Sequence, residues 1–181
     1  MTDSVRSHDH AARIRALIRD VLGYPKPGVV FKDITPLLAD ATAFATATRA
    51  MAEPFATSGI THVVAIESRG FILGGPVAQR LRAGFVPVRK AGKLPSATHR
   101  QEYLLEYGTD VLEIHTDALD ERSKVLVVDD VLATGGTANA ACQLVESTGA
   151  TVSGVSFLIA LSFLPGLARL AARRPFAVVT Y

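Results

Sequence analysis

Two adjacent carboxylates at the end of an apolar run are the most chemically loaded feature of the sequence. Val125-Leu126-Val127-Val128 is a continuous strand of buried type, and Asp129-Asp130 follow it directly. Carboxylates are costly to bury, so the pair belongs at a solvated strand end. The small-residue turn Ala133-Thr134-Gly135-Gly136-Thr137 comes next, opening a helix expected over Gly136–Thr148. Glycines let the backbone approach a ligand, and the hydroxyls of Thr134 and Thr137 can donate to it. A helix start adds free N–H groups at the positive end of its dipole, which together make a seat for a monophosphate. Asp129 and Asp130 beside it can accept hydrogen bonds from sugar hydroxyls or hold Mg²⁺ through oxygen. The combination describes a phosphorylated sugar. A Walker loop would need Gly-Lys-Ser/Thr, which is absent. A receiver-type Asp-Asp pair would lie near the start of its domain, not this late in the chain.

The elements that must position these residues alternate. Thr61–Ile66 reads as a buried strand, Gly70–Arg82 as a helix with Pro76 near its first turn, and Phe85–Val88 as a short strand. Val111–His115 alternates and is expected to be half exposed. Val152–Leu161 and Phe176–Thr180 close the list of strands. Upstream, Ala11–Leu22 has helical spacing, the Gly23–Gly28 stretch stops it, and Val29–Phe31 is extended. Asp40 is placed to cap a helix running to about Ser58. Strand–helix alternation predicts an α/β fold with an open, mostly parallel sheet flanked by helices, whose ligands sit at the C-terminal ends of strands. Ala91–Gly108 is long for a structureless connection, which marks it as a lid.

Composition bounds the reading. The chain has 181 residues, 49% hydrophobic and 20% charged, with a formal net charge of +2. That is one globular domain, without the strong net charge of a disordered or broadly nucleic-acid-binding chain. A single cysteine, Cys142, excludes an internal disulfide and a multi-cysteine zinc site, and fits a reducing, cytoplasmic compartment. The polar start, Met1–His10, lacks the apolar core of a secretory signal. No apolar run approaches the length of a membrane span, the longest lying near Val155–Leu164 and ending at Pro165. The five histidines show no metal-ligand spacing. The local cluster Arg89-Lys90-Ala91-Gly92-Lys93 matters more than net charge, because three like charges repel unless an anion compensates them. Asp33 reads as a local turn or charge partner.

Val127-Val128-Asp129-Asp130-Val131-Leu132-Ala133-Thr134-Gly135-Gly136-Thr137 resembles the phosphoribosyl pyrophosphate signature of the type I phosphoribosyltransferases. Pro27–Leu37, Glu67-Ser68-Arg69-Gly70-Phe71, Arg89–Pro95 and Leu105-Glu106-Tyr107-Gly108 resemble the adenine branch of that family, in its order, so that the resemblance spans about residues 11–181. It implies the type I fold as a single domain, with an N-terminal helix and small hood over about 1–38, a core over 39–181, and a lid over about 91–108. It implies transfer of the phosphoribosyl group from phosphoribosyl pyrophosphate to adenine, giving AMP and pyrophosphate, with Mg²⁺ as cofactor. Members are generally homodimers.

The same resemblance implies the site. Asp129 and Asp130 face the ribose and hold the metal mainly through substrate. Ala133, Thr134, Gly135, Gly136 and Thr137 grip the 5′-phosphate. Glu67, Ser68, Arg69 and Gly70, with Arg89, Lys90 and Lys93, meet the pyrophosphate, Arg69 through a bidentate contact. Glu106 is the acid/base residue near the imidazole edge of the purine, and Tyr107 orders the closed lid. Val30, Phe31 and Lys32 form the base-binding hood, opposite Leu132, and relatives often carry arginine at the Lys32 position. Two competing readings are a relative acting on hypoxanthine, guanine or xanthine, and a non-catalytic regulator that binds nucleic acid. The second would need a DNA-binding appendage or a broad basic face, and the sequence shows neither.

Overall fold

The computed structural model describes residues 11–104 and 108–181. It divides into two compact units, Met1–Ala50 and Met51–Tyr181.

In the first unit, helix α1 is described over residues 11–16 and stops there. The expected helix to Leu22 does not form. Arg19–Leu22 is strand β1, paired antiparallel with β2 (Val30–Asp33). The reason is cross-strand charge matching. Arg19 sits opposite Asp33 and Asp20 opposite Lys32. Each pair is joined as an ion pair, with Lys32 Nζ lying 2.7 Å from Asp20 Oδ1. Helical spacing alone did not carry that information. Helix α2 (Thr35–Ala39) follows, then α3 (Ala41–Ala52), which stops short of the expected Ser58 because Pro54 forces a tighter turn over Glu53–Phe55. Asp40 Oδ1 accepts the Ala43 N–H at 2.8 Å. That is the expected cap.

The second unit is built on seven strands in the order β5-β6-β4-β3-β7-β8-β9. These are β3 (His62–Ile66), β4 (Gly84–Lys90), β5 (Thr98–Leu104), β6 (Thr109–His115), β7 (Lys124–Leu132), β8 (Thr151–Ala160) and β9 (Pro175–Thr180). Five are parallel, and β5–β6 is an antiparallel hairpin added at one edge beside β4. The stretch expected to be structureless is therefore partly strand: Thr98–Leu104 pairs along its length with Thr109–His115. The half-exposed pattern expected for Val111–His115 also fails. Leu112, Glu113 and Ile114 are all buried, because the Glu113 carboxylate lies 2.8 Å from Arg100 Nε and accepts the Gly92 N–H at 2.9 Å.

The chain leaves β3 in one direction, through α4 (Arg69–Leu81) to β4, and leaves β7 in the other, through α5 (Gly136–Ser147) to β8. Right-handed crossovers then put α4 and α5 on opposite faces. Strand alternation agrees. Val64 and Ile66 pack in the α5 cluster, whereas a Cβ on Gly74 of α4 would lie 2.5 Å from that of Ala65. Pro76 lies well inside α4 rather than in its first turn. Among the described residues, no helix is long and apolar enough to cross a membrane.

Candidate active site

Strand order reverses between β3 and β7. The loops after these strands therefore diverge and leave a crevice at their C-terminal ends. The acidic pair and the Glu67–Gly70 loop both fall there. Val125–Val128 are fully buried, but β7 runs on through Asp129 and Asp130 to Leu132, so the pair expected at a solvated strand end lies within the strand, near its C-terminal end. The two carboxylates have different surroundings. Asp130 is buried, and its Oδ2 lies 2.7 Å from Arg69 Nε, an ion pair between the β7 end and the start of α4. Asp129 Oδ1 accepts the Asp130 N–H at 2.9 Å. Burial, then the neighbouring Asp130 charge, push the Asp129 carboxyl well above the usual range, with Arg69 opposing. Asp129 is thus an acid that gains from incoming hydroxyl donors or a cation. Gly70 makes this closeness possible, since a Cβ there would stand 2.9 Å from Asp129 Oδ1.

Beyond Asp130 the chain turns around a cavity of ≈ 90 Å³ lined by Asp129, Leu132, Ala133, Thr134, Gly135, Gly136 and Thr137 among others. Gly135 caps α5 at φ +78°, and its carbonyl accepts the Asn139 N–H at 2.9 Å. That left-handed backbone suits glycine, which has no Cβ to clash. The first N–H groups of α5 are left for a ligand, as an anion seat requires. Leu132 lines the cavity with only 1% of its surface exposed. Sequence reasoning missed the residue that backs this turn. Gly166 donates its N–H to the Ala133 carbonyl at 3.1 Å, and a Cβ on it would come within 2.3 Å of that oxygen. Pro165-Gly166 reads as an ordinary breaker, so no local signal pointed to it.

The Glu67–Gly70 loop contains Ser68 at φ 68° and ψ −115°. Few residues other than glycine adopt that backbone, so the loop is strained there. Glu67 turns its carboxylate toward β4: Oε2 accepts the Lys90 N–H at 3.1 Å and lies 3.6 Å from Arg89 Nε. Its side chain therefore aligns the basic segment. Arg89 lies over the Phe71 ring at 5.9 Å and donates from Nη1 to the Lys93 carbonyl at 3.1 Å. The ring face attracts the cation electrostatically. Lys93 is exposed, and the turn before it uses Gly92 at φ +75°. Lys90 Nζ lies 3.0 Å from Asp110 Oδ2, a partner that sequence reading did not find. The Asp110 charge holds the Lys90 ammonium above its ordinary range, and Lys90 holds Asp110 below its own.

The remaining predicted residues divide in two groups. Glu106 and Tyr107 lie outside the described residues. Val30, Phe31 and Lys32 lie on β2 in the first unit, where Phe31 meets Tyr24 edge-on at 5.1 Å and Lys32 pairs with Asp20. Asp33 is the charge partner expected: it accepts from Thr35 N at 2.9 Å and from Arg19 Nε at 3.1 Å.

The donor set can be tested for Mg²⁺. Among the described residues no group of three or more His, Cys, Asp or Glu side chains comes together as a metal site. Asp130 is already paired with Arg69, and Asp129 has one oxygen engaged by backbone. One or two carboxylates with spare lone pairs fit a magnesium ion held mostly by water and substrate phosphates, not by a protein cage.

Comparison with known proteins gives one answer. The phosphoribosyl transferase domain family matches residues 34–165. The chain is 60% identical over 153 residues to a Streptomyces coelicolor protein named adenine phosphoribosyltransferase, covering 84% of each chain. It is 55% identical over 165 residues to the protein of that name from Thermobifida fusca, covering 91% of this chain and 94% of that one. Its fold is similar to the crystal structure of adenine phosphoribosyltransferase from Rhodothermus marinus, with a TM-score of 0.92 at 49% identity, over 96% of this chain and 99% of that one. The Saccharomyces cerevisiae adenine phosphoribosyltransferase, solved with an imino-altritol bisphosphate and adenine, aligns at a TM-score of 0.89 and 36% identity, over 94% and 99% of the two chains.

Proposed function

The chain belongs to the adenine phosphoribosyltransferases of the phosphoribosyl transferase domain family, and on that premise we propose how its residues divide the work of that reaction. The reaction moves the 5-phosphoribosyl group from phosphoribosyl pyrophosphate to adenine and yields AMP and pyrophosphate. The single observation that supports the division most is the crevice where strand order reverses, with an acid pair on one lip and a cationic loop on the other.

The α5 N-terminus and the hydroxyls of Thr134 and Thr137 bind the 5′-phosphate. Asp129 accepts from the ribose hydroxyls, for which its burial makes it receptive. Breaking the anomeric C–O bond leaves positive charge on the ribose and negative charge on the departing pyrophosphate. Arg69, Arg89, Lys90 and Lys93, with the backbone of Ser68 and Gly70, answer the second. Asp130 orients the Arg69 guanidinium through their contact and lends negative charge to the ribose side. Mg²⁺, held by substrate oxygens with help from Asp129 and Asp130, would neutralise the pyrophosphate when bound. Glu106 manages the proton of the purine imidazole edge, and the segment about 91–108, with Tyr107, shields the ribosyl cation from water. Val30, Phe31 and Lys32 receive the base, while Leu132, expected as their opposite wall, is packed in the core beside the 5′-phosphate turn. These last assignments rest on the resemblance of their motifs, as do a homodimeric state and a cytoplasmic location.

The test is pyrophosphate release from phosphoribosyl pyrophosphate and Mg²⁺, run separately with adenine, hypoxanthine, guanine and xanthine. Release with adenine alone, matched by AMP, is the expected result. Release with another base overturns the base assignment. Release with none, alongside salt-sensitive DNA binding, replaces the enzyme with a regulator.

A further inference from the structure

Asp110 is not part of any motif in the sequence, yet it lies where three elements meet. Its Oδ2 is 3.0 Å from Lys90 Nζ on β4 and accepts from the Tyr103 hydroxyl of β5 at 3.4 Å. Its Oδ1 accepts the Val111 N–H at 2.9 Å, which fixes the carboxylate on β6. The carboxylate is mostly covered, with 22% of its side-chain surface exposed, whereas the lysine is 54% exposed. So Val111 and Tyr103 hold the acid independently of Lys90, while the half-exposed ammonium has room to exchange partners. A lysine is a flexible point charge with three donors, and it follows whichever anion offers the better field. The Lys90 backbone is pinned independently by Glu67 Oε2 at 3.1 Å, so the side chain alone can exchange partners.

We propose that Asp110 is a positioning residue: the built-in counter-anion that holds Lys90 at the crevice until pyrophosphate takes its place, so that it sets how tightly pyrophosphate is held and how readily it leaves. The inference rests on the reading of Lys90 as a pyrophosphate ligand. Its physical content is competition. A carboxylate 3.0 Å from the ammonium lowers the attraction that the ammonium has to spare for an incoming anion, and adds its own repulsion. Partly exposed pairs of this kind are worth little, so the competition amounts to roughly three- to fivefold in affinity. Tyr103 keeps the carboxylate turned toward Lys90, and Val111 keeps it on the strand.

The experiment is calorimetric titration of the protein with magnesium pyrophosphate, comparing wild type, Asp110→Asn, Lys90→Ala and the double variant. Asparagine keeps the shape and the Val111 acceptor while removing the charge. AMP, which carries no pyrophosphate, is titrated alongside, and its unchanged affinity reports an intact fold. Asp110→Asn is expected to bind pyrophosphate roughly three- to fivefold tighter and to lower the KM for phosphoribosyl pyrophosphate, while kcat falls because pyrophosphate leaves more slowly. Lys90→Ala is expected to bind pyrophosphate more weakly, and Asp110→Asn to add nothing in that background. If Lys90→Ala weakens binding but Asp110→Asn leaves it equal or weaker, the inference is wrong and the Lys90 assignment stands. If Lys90→Ala changes nothing, both are wrong. Tightening that persists without Lys90 also overturns it, because the carboxylate would then act on the anion directly.

Discussion

At the scale of single residues, Arg69 carries the most consequence. Its guanidinium pairs with buried Asp130 at the start of α4, so it neutralises an acid and, on the proposed reading, also meets the departing pyrophosphate. Replacing it by alanine removes a donor aimed at developing negative charge, which costs about 10²–10³ in kcat/KM. Arg69→Lys keeps the charge but loses the forked geometry, and should fall between the two. Steady-state kinetics with varied phosphoribosyl pyrophosphate decide it, and a wild-type rate in Arg69→Ala would remove the arginine from the mechanism. The acid pair illustrates what a sequence can tell at this scale. Its place on an apolar strand was legible from patterning, but not that β7 runs on to Leu132 and leaves Asp130 buried instead of solvated. The split between an ion-paired Asp130 and a receptive Asp129 was not legible either, because it depends on Gly70 letting a distant loop come close.

At the scale of elements, the phosphate turn is held by a contact that local sequence does not announce. Gly166 lies against the Ala133 carbonyl with no room for a methyl group. Gly166→Ala must push the turn into its own cavity, at a cost of about 1–3 kcal/mol in stability. The KM for phosphoribosyl pyrophosphate should rise by roughly tenfold or more with that displacement. Thermal unfolding and kinetics measure the two parts. An unchanged KM would show that the turn does not need this support. The β1–β2 hairpin offers a pH test. Backbone and side-chain hydrogen bonds from Thr35, with the Arg19 guanidinium, lower the Asp33 carboxyl to about 2. A lowered folded value means that the ionised form favours the fold. The stabilisation is therefore full above the ordinary 3.8 and disappears as pH falls toward about 2. Carbon-13 titration of Asp33 should give a midpoint near that lower value, and a midpoint near 3.8 would dismiss the hairpin network. The hairpin itself was hidden from periodicity. The spacing of Ile14, Leu17, Ile18, Val21 and Leu22 suits a helix, but opposed charges on Arg19, Asp20, Lys32 and Asp33 decide for strands.

At the scale of the whole molecule, the proposed homodimer predicts a sedimenting mass of twice the 19.2 kDa chain, and a single-chain mass at working concentration would remove it. The parallel strands and their helices were legible because their apolar runs are long and separated by clear breakers. Long-range arrangement was less so. The edge hairpin, buried Glu113 and the Lys90–Asp110 pair all arise from strands that meet only after the chain has returned. Strand β7 is hydrogen-bonded to β3 on one side and β8 on the other, near the middle of the sheet, while β5–β6 forms a rim. A sheet frays from its margins, so central β3 and its neighbour β7, which presents Asp129 and Asp130, are the last strands to give up their amide protons to solvent. The molecule thereby separates endurance from access: the floor under the proposed site outlasts partial opening, while the proposed lid lies on the margin that loosens first.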